Sequence, residues 1–186
     1  MIENKTFDRI DFSNTPLSRD EYEGCQFLNC NFHKSILSHI TFRGCKFDGC
    51  DFSLAEFKNT ALSDVKFLNC KLLGVQLQEC KPFLLSISFD NCLLKLAVFS
   101  HLKLKKTPFI NCNLEETDFS EADLSAAIFD NCNLQRAIFS KTNLEKADFR
   151  TSYHYSIDPE NNKIRHARFS HSGVLGLLDK YGVVIG

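Results

Sequence analysis

Nine cysteines and six histidines are the residues of this chain with the widest chemical repertoire. At suitable spacing, thiols and imidazoles bind zinc, close disulfides or act as nucleophile and base. The spacing here points elsewhere. No CxxC occurs, and Cys25 with Cys30, like Cys45 with Cys50, follow a CxxxxC pattern that is not a zinc knuckle. His33, His39, His101, His154, His166 and His171 are dispersed, with no HxxxH or HExxH, no glycine-rich phosphate loop and no nucleophile elbow. The chain therefore reads as a non-enzyme without cofactor or metal. The remaining chemistry is charge. From Asn111 to Leu134 it carries Glu115, Glu116, Asp118, Glu121, Asp123 and Asp130 with no Lys or Arg between them. From Asp20 to Asp64, seven acids, including Asp48, Asp51 and Glu56, face four bases. Between these bands Lys103, Lys105 and Lys106 are locally basic. Outward carboxylates in such bands are candidate contact residues.

What must position these groups is a repeat of five residues. Stepping by five from Ile2 through Phe7, Phe12, Leu17, Tyr22 and Phe27 to Leu77 meets only large apolar residues. The register slips by two and resumes at Leu84, after which Leu and Phe alternate to Phe149. Two residues before each of these centres the side chain is small or apolar, apart from Lys5 and Asp20 near the N-terminus. A period of five scatters centres around a helix, where each residue turns about 100°. On a straight strand it sends successive centres to opposite faces. It is consistent only if the chain turns a corner every repeat and aims each centre into a shared interior, which makes a β-solenoid whose coils bury one another by stacking.

All nine cysteines fall in the small-residue register, where a buried thiol packs like Ala or Val. Inert packing is the expectation, with a redox or metal role as the alternative. Asn29, Asn69, Asn91, Asn111 and Asn131, each just before a Cys, sit where the chain must turn and suit the left-handed conformation.

The 186 residues carry 22 Lys plus Arg against 23 Asp plus Glu, a balance unlike that of a protein that grips phosphate backbones along its length. Direct nucleic-acid binding is not expected. No run approaches the roughly 20 apolar residues of a membrane span, and no basic leader precedes an apolar stretch, so the expected location is the cytoplasm, away from membranes.

The A-[DN]-[LF]-x-x pattern, as in Ala122-Asp123-Leu124-Ser125-Ala126 and Ala147-Asp148-Phe149-Arg150-Thr151, resembles the pentapeptide-repeat proteins over roughly residues 5 to 152. The resemblance implies an all-β fold, a right-handed quadrilateral β-helix with 20 residues per coil. Stepping by 20 gives uniform columns in support of it: Leu84, Leu104, Leu124 and Leu144, and Phe89, Phe109, Phe129, Phe149 and Phe169. The expected organisation is an N-terminal segment (1–78), a slip or kink around Pro82 (79–83), a C-terminal segment (84–152), and a final region (153–186) with a loop, one more wall, and a capping helix and strand. Ser172 is the expected helix cap and Gly182 the expected left-handed stop, followed by an apolar strand from Val183.

The tail is more apolar than a cap requires. Leu175, Leu178, Tyr181, Val183, Val184 and Ile185 are the expected homodimer interface. The tail, with Gly24-Cys25-Gln26-Phe27 and Gly44-Cys45-Lys46-Phe47, is similar to the Qnr group and its relatives MfpA, McbG and AlbG. That likeness implies a dimeric rod that mimics DNA, binds DNA gyrase or topoisomerase IV, and protects it from quinolones or peptide toxins. Many Qnr proteins carry two projecting loops, whereas this sequence offers only the slip. The alternatives are a β-helical interaction scaffold with an unrelated partner, and an immunity protein against a gyrase toxin.

Overall fold

The computed structural model describes residues 1–184 and is a parallel β-solenoid with four walls per coil. On the first wall, β1 (Ile2–Glu3), β3 (Glu21–Glu23), β5 (Thr41–Arg43) and β7 (Ala61–Ser63) form a four-stranded sheet. On the second, β2 (Thr6–Asp8), β4 (Gln26–Leu28), β6 (Lys46–Asp48), β8 (Val65–Leu68), β9 (Ile87–Asp90), β10 (Pro108–Ile110) and β11 (Ile128–Asp130) form a seven-stranded one. Neighbouring rungs pair at an offset of 20 residues, as in Phe7 with Phe27, except across the slip, where Phe67 pairs with Phe89. The third and fourth walls are columns of single bridges, such as Asp51 to Lys71 and Val98 to Asp118.

The corner follows from backbone geometry. The residue two beyond each centre takes a positive φ in repeat after repeat, and Asn29, Asn69, Asn91, Asn111 and Asn131 all do so at 52° or 53°. Asn tolerates this region, but Leu54, Leu96 and Glu116 occupy it too, at a steric cost that the stacked rungs must offset.

The centres fill the shaft. On the second wall Phe7, Phe27, Phe47, Phe67, Phe89, Phe109, Phe129, Phe149 and Phe169 form an unbroken stack, with centroids from 4.6 Å (Phe129 to Phe149) to 5.5 Å (Phe149 to Phe169) apart. Rings from the third and fourth walls meet this stack edge-on, as Phe99 meets Phe109 at 90°. Each such pair adds about 0.5–1.5 kcal/mol beyond area burial. All nine cysteines are buried and free. Burial pushes the Cys45 thiol up to about 11 and that of Cys80 up to about 12, and raises Cys30 and Cys70 as well. Many of these thiols point at a carbonyl of the coil before, as Cys50 does at Phe27 (3.3 Å).

One expectation is corrected at the slip. Leu84 is not a centre: it is 58% exposed at a φ of 62°, and Leu85 turns toward the core instead. The extra residues leave as a bulge in which Lys81, Pro82, Phe83 and Leu84 are all exposed. The tail also differs. It forms two 3-10 segments, Gly173–Leu177 and Asp179–Tyr181, and Val183–Val184 are not strand; Ile185 lies outside the described residues. The cap of the first segment is Ser170, whose Oγ accepts the Gly173 N–H at 2.9 Å, while the Ser172 side chain makes no cap bond. Gly182 ends the second at a φ of 60°, as expected.

Candidate interaction surfaces

Because a coil holds 20 residues, side chains adjacent in sequence diverge onto different walls and side chains about 20 apart become neighbours. The acids from Asn111 to Leu134 make one complete ring around the shaft. Glu115 and Glu116 leave the third wall, Asp118 and Glu121 the fourth, Asp123 the first and Asp130 the second. All six point outward, as expected, but the structure does not bring them together as one patch.

Their true neighbours are the rungs above and below, and these neutralise Glu115 and Glu116. Lys95 Nζ lies 3.1 Å from Glu115, and Arg136 Nη2 lies 2.8 Å from Glu115 and 2.9 Å from Glu116. Lys95, with Arg136, holds the Glu115 carboxyl below the usual range. His101 faces Glu121 at 3.4 Å. Asp118 and Asp123 accept the N–H groups of Ser120 and Ser125, so these carboxylates also brace their own turns.

The candidates of the N-terminal band separate in the same way. Asp48 lies on the second wall, Asp51 on the third and Glu56 on the fourth. Asp51 accepts the Ser53 N–H at 2.8 Å, and Asp48 is held below the usual carboxylate range by Asn69 first and then by Lys46. The second wall nevertheless contains an ordered acidic column. Through the pairings Asp48 to Leu68, Leu68 to Asp90, Asp90 to Ile110 and Ile110 to Asp130, a carboxylate recurs on every second rung. At about 4.8 Å per rung that is one acid per roughly 10 Å. Asparagines brace it from the corner: Asn69 donates to Asp48 (2.7 Å), Asn91 to Asn69 (2.8 Å), Asn111 to Asp90 (3.4 Å) and Asn131 to Asn111 (2.9 Å). Among the described residues Asp90 and Asp130 have no cationic partner. Sequence reasoning missed Asp90. The signal was present, since the step that relates Phe89 to Phe109 and Phe129 relates Asp90 to Ile110 and Asp130.

At the far end the tail closes the last coil. Leu177 packs on the core and the Ile157 N–H donates to the Gly176 carbonyl at 3.0 Å. A Cβ on Gly176 would stand 2.1 Å from the Tyr155 carbonyl oxygen, so only glycine fits. Lys180 pairs with Asp158 at 2.7 Å and with Glu160, and the Tyr181 hydroxyl donates to Glu160. With one side docked in this way, Leu175, Leu178, Tyr181, Val183 and Val184 remain exposed, Val184 at 98%. Of the aromatic cluster near His154, Tyr155 is buried between Phe149 and Phe169, whereas Tyr153 stays exposed against the His154 ring.

No helix of the described residues is long and apolar enough to cross a membrane. Residues 83–154 and 102–176 match the family profile described as a pentapeptide repeat region, and residues 25–64 match that of pentapeptide repeats in eight copies. Quinolone resistance pentapeptide repeat protein QnrB96 from Scandinavium goeteborgense is 30% identical over 86 residues, which span 43% of this chain and about a third (33%) of that relative. Among solved structures, a trypsin-treated variant of QnrB1, a plasmid-mediated fluoroquinolone resistance protein, superposes with a TM-score of 0.58 at 18% identity, over 100% of this chain and 97% of its own. HetL, a pentapeptide repeat protein involved in heterocyst differentiation regulation in Nostoc sp. strain PCC 7120, gives 0.50 at 19% identity over 91% and 84%. These likenesses establish the fold, a right-handed quadrilateral β-helix.

Proposed function

We propose that this chain, which belongs to the pentapeptide-repeat family, is a non-catalytic, dimeric, cytoplasmic rod that binds DNA gyrase or topoisomerase IV in place of DNA and protects it from quinolone-type or peptide inhibitors. The observation that carries this reading is the 86-residue similarity to a quinolone resistance protein, borne on a shaft whose second wall repeats a carboxylate every second rung. A stiff rod with fixed acids can meet a basic groove without paying to order itself, which favours fast and specific docking. The exposed apolar side of the tail supports a second copy of this chain as the partner at that end.

The test is gyrase supercoiling of relaxed plasmid under ciprofloxacin, with and without the purified protein at micromolar concentration. Restored supercoiling is expected. A protein that neither rescues nor inhibits the enzyme would overturn the reading. An interaction scaffold for an unrelated partner is the second reading, favoured by the Lys95 and Arg136 pairs that cancel Glu115 and Glu116.

A further inference from the structure

The slip leaves a defect in the first wall. Its ladder runs through β7, stops, and restarts only with the bridge from Lys103 to Asp123. Among the described residues no backbone hydrogen bond joins the bulge, residues 81–86, to residues 102–106 on the next rung. Elsewhere consecutive rungs are joined, as Lys106 is to Ser125 and Leu104 to Asp123. The break opens a depression of about 420 Å³, bounded by Leu85, Ile87 and Pro108 and rimmed by Lys66, Lys103, Lys105 and Lys106, with Asp64 the acid on its edge. None of these four lysines is in an ion pair among the described residues.

A hydroxyl without its usual acceptor marks the same place. Thr60, Thr117 and Thr142 occupy the register of Thr107 on other rungs, and each donates to a carbonyl of the coil before at 2.9 Å. Thr107 is 6% exposed and lines the depression, and among the described residues its hydroxyl makes no such bond. Facing the depression, that hydroxyl is open to a bond from a bound ligand. Beside the opening, Phe83 and Leu84 are 80% and 58% exposed.

We propose that this notch is a docking site for an extended acidic peptide segment of a partner protein, which adds its backbone to the open rung and places carboxylates among Lys66, Lys103, Lys105 and Lys106. The rung offers carbonyls as well as N–H groups, and a peptide chain supplies donors for them where a phosphate backbone supplies none. Phe83 and Leu84 give the apolar side chains of such a segment a surface to cover. The proposal is independent of the topoisomerase reading, which rests on the acidic second wall.

The probe is a fluorescein-labelled hexapeptide of alternating Glu and Val, titrated with the full chain and followed by anisotropy. Saturable binding is expected, weakened roughly tenfold or more by Lys103→Glu with Lys105→Glu and about fivefold by Thr107→Val, which keeps the shape and removes the hydroxyl. N-methylation of alternate peptide amides is expected to weaken it as well. Far-UV circular dichroism and melting temperature report whether each variant keeps the native fold. Absence of saturation up to millimolar protein, or unchanged affinity in both folded variants, would overturn the proposal. An oligothymidylate bound as tightly as the peptide would also overturn it, by reducing the notch to a general anion patch.

Discussion

Arg136 Nη2 lies 2.8 Å from Glu115 Oε1, although 21 residues separate the two in the chain. The contact exists because one coil returns the backbone to the same wall a rung higher, and it decides which acids remain available to a partner. Asp90 and Asp130 hold no such cation. Asp90→Asn with Asp130→Asn should therefore weaken protection of gyrase in the supercoiling assay more than Glu115→Gln with Glu116→Gln does, without loss of fold. Equal effects of the two pairs, read from the protein concentration that restores half the supercoiling, would remove the second-wall column from the contact surface.

Gly176→Ala should undock the tail. The added Cβ would meet the Tyr155 carbonyl oxygen at 2.1 Å, a backbone atom that cannot swing aside as the end of a flexible side chain would. We expect a local cost of about 2 kcal/mol. Limited trypsin digestion should then cut after Lys180 more readily, while circular dichroism of the shaft is preserved. An unchanged cleavage rate would mean that the tail is held by Lys180 and Leu177 alone.

The thiols give a pH prediction. Burial places Cys45 at about 11 and Cys80 at about 12 in the folded chain, above the ordinary thiol value of 9.0. With the folded value raised, the unfolded chain loses its protons first as pH rises. The contribution of these groups to stability is thus complete below about pH 9 and is lost as pH climbs toward 11 to 12. Urea midpoints measured from pH 7 to 11 should be flat at first and then fall, and iodoacetamide at pH 8 should label none of the nine cysteines until the chain unfolds. Rapid labelling of the native protein would contradict the buried register.

Leu178→Asp tests the proposed pairing of tails. Leu178 shares a shallow depression with Leu175 and Val183 on the exposed side of the tail, and a carboxylate there would be desolvated by a second copy. Light scattering should give half the mass of the parent protein. A mass that stays doubled would move the interface to another face.

The sequence alone determined the interior. The five-residue period named Phe129 and Phe149 as centres and Cys132 as a small partner, because a repeat that must turn a corner admits only large apolar residues at each centre and small or apolar ones two before it, and that restriction is written in side-chain size. Gly182 as a left-handed stop was legible for the same local reason. The tertiary structure decided everything that depends on the neighbour a rung away. It made the acids from Glu115 to Asp130 a ring rather than a patch, paired Glu115 with Arg136, aligned Asp90 with Asp48 and Asp130, put Leu85 in the place expected of Leu84, and split the expected helix of the tail into two short 3-10 segments. Outward positions accept almost any residue, so their pattern carries little information until the coils are stacked, and a two-residue slip can be absorbed in several ways that only core packing distinguishes.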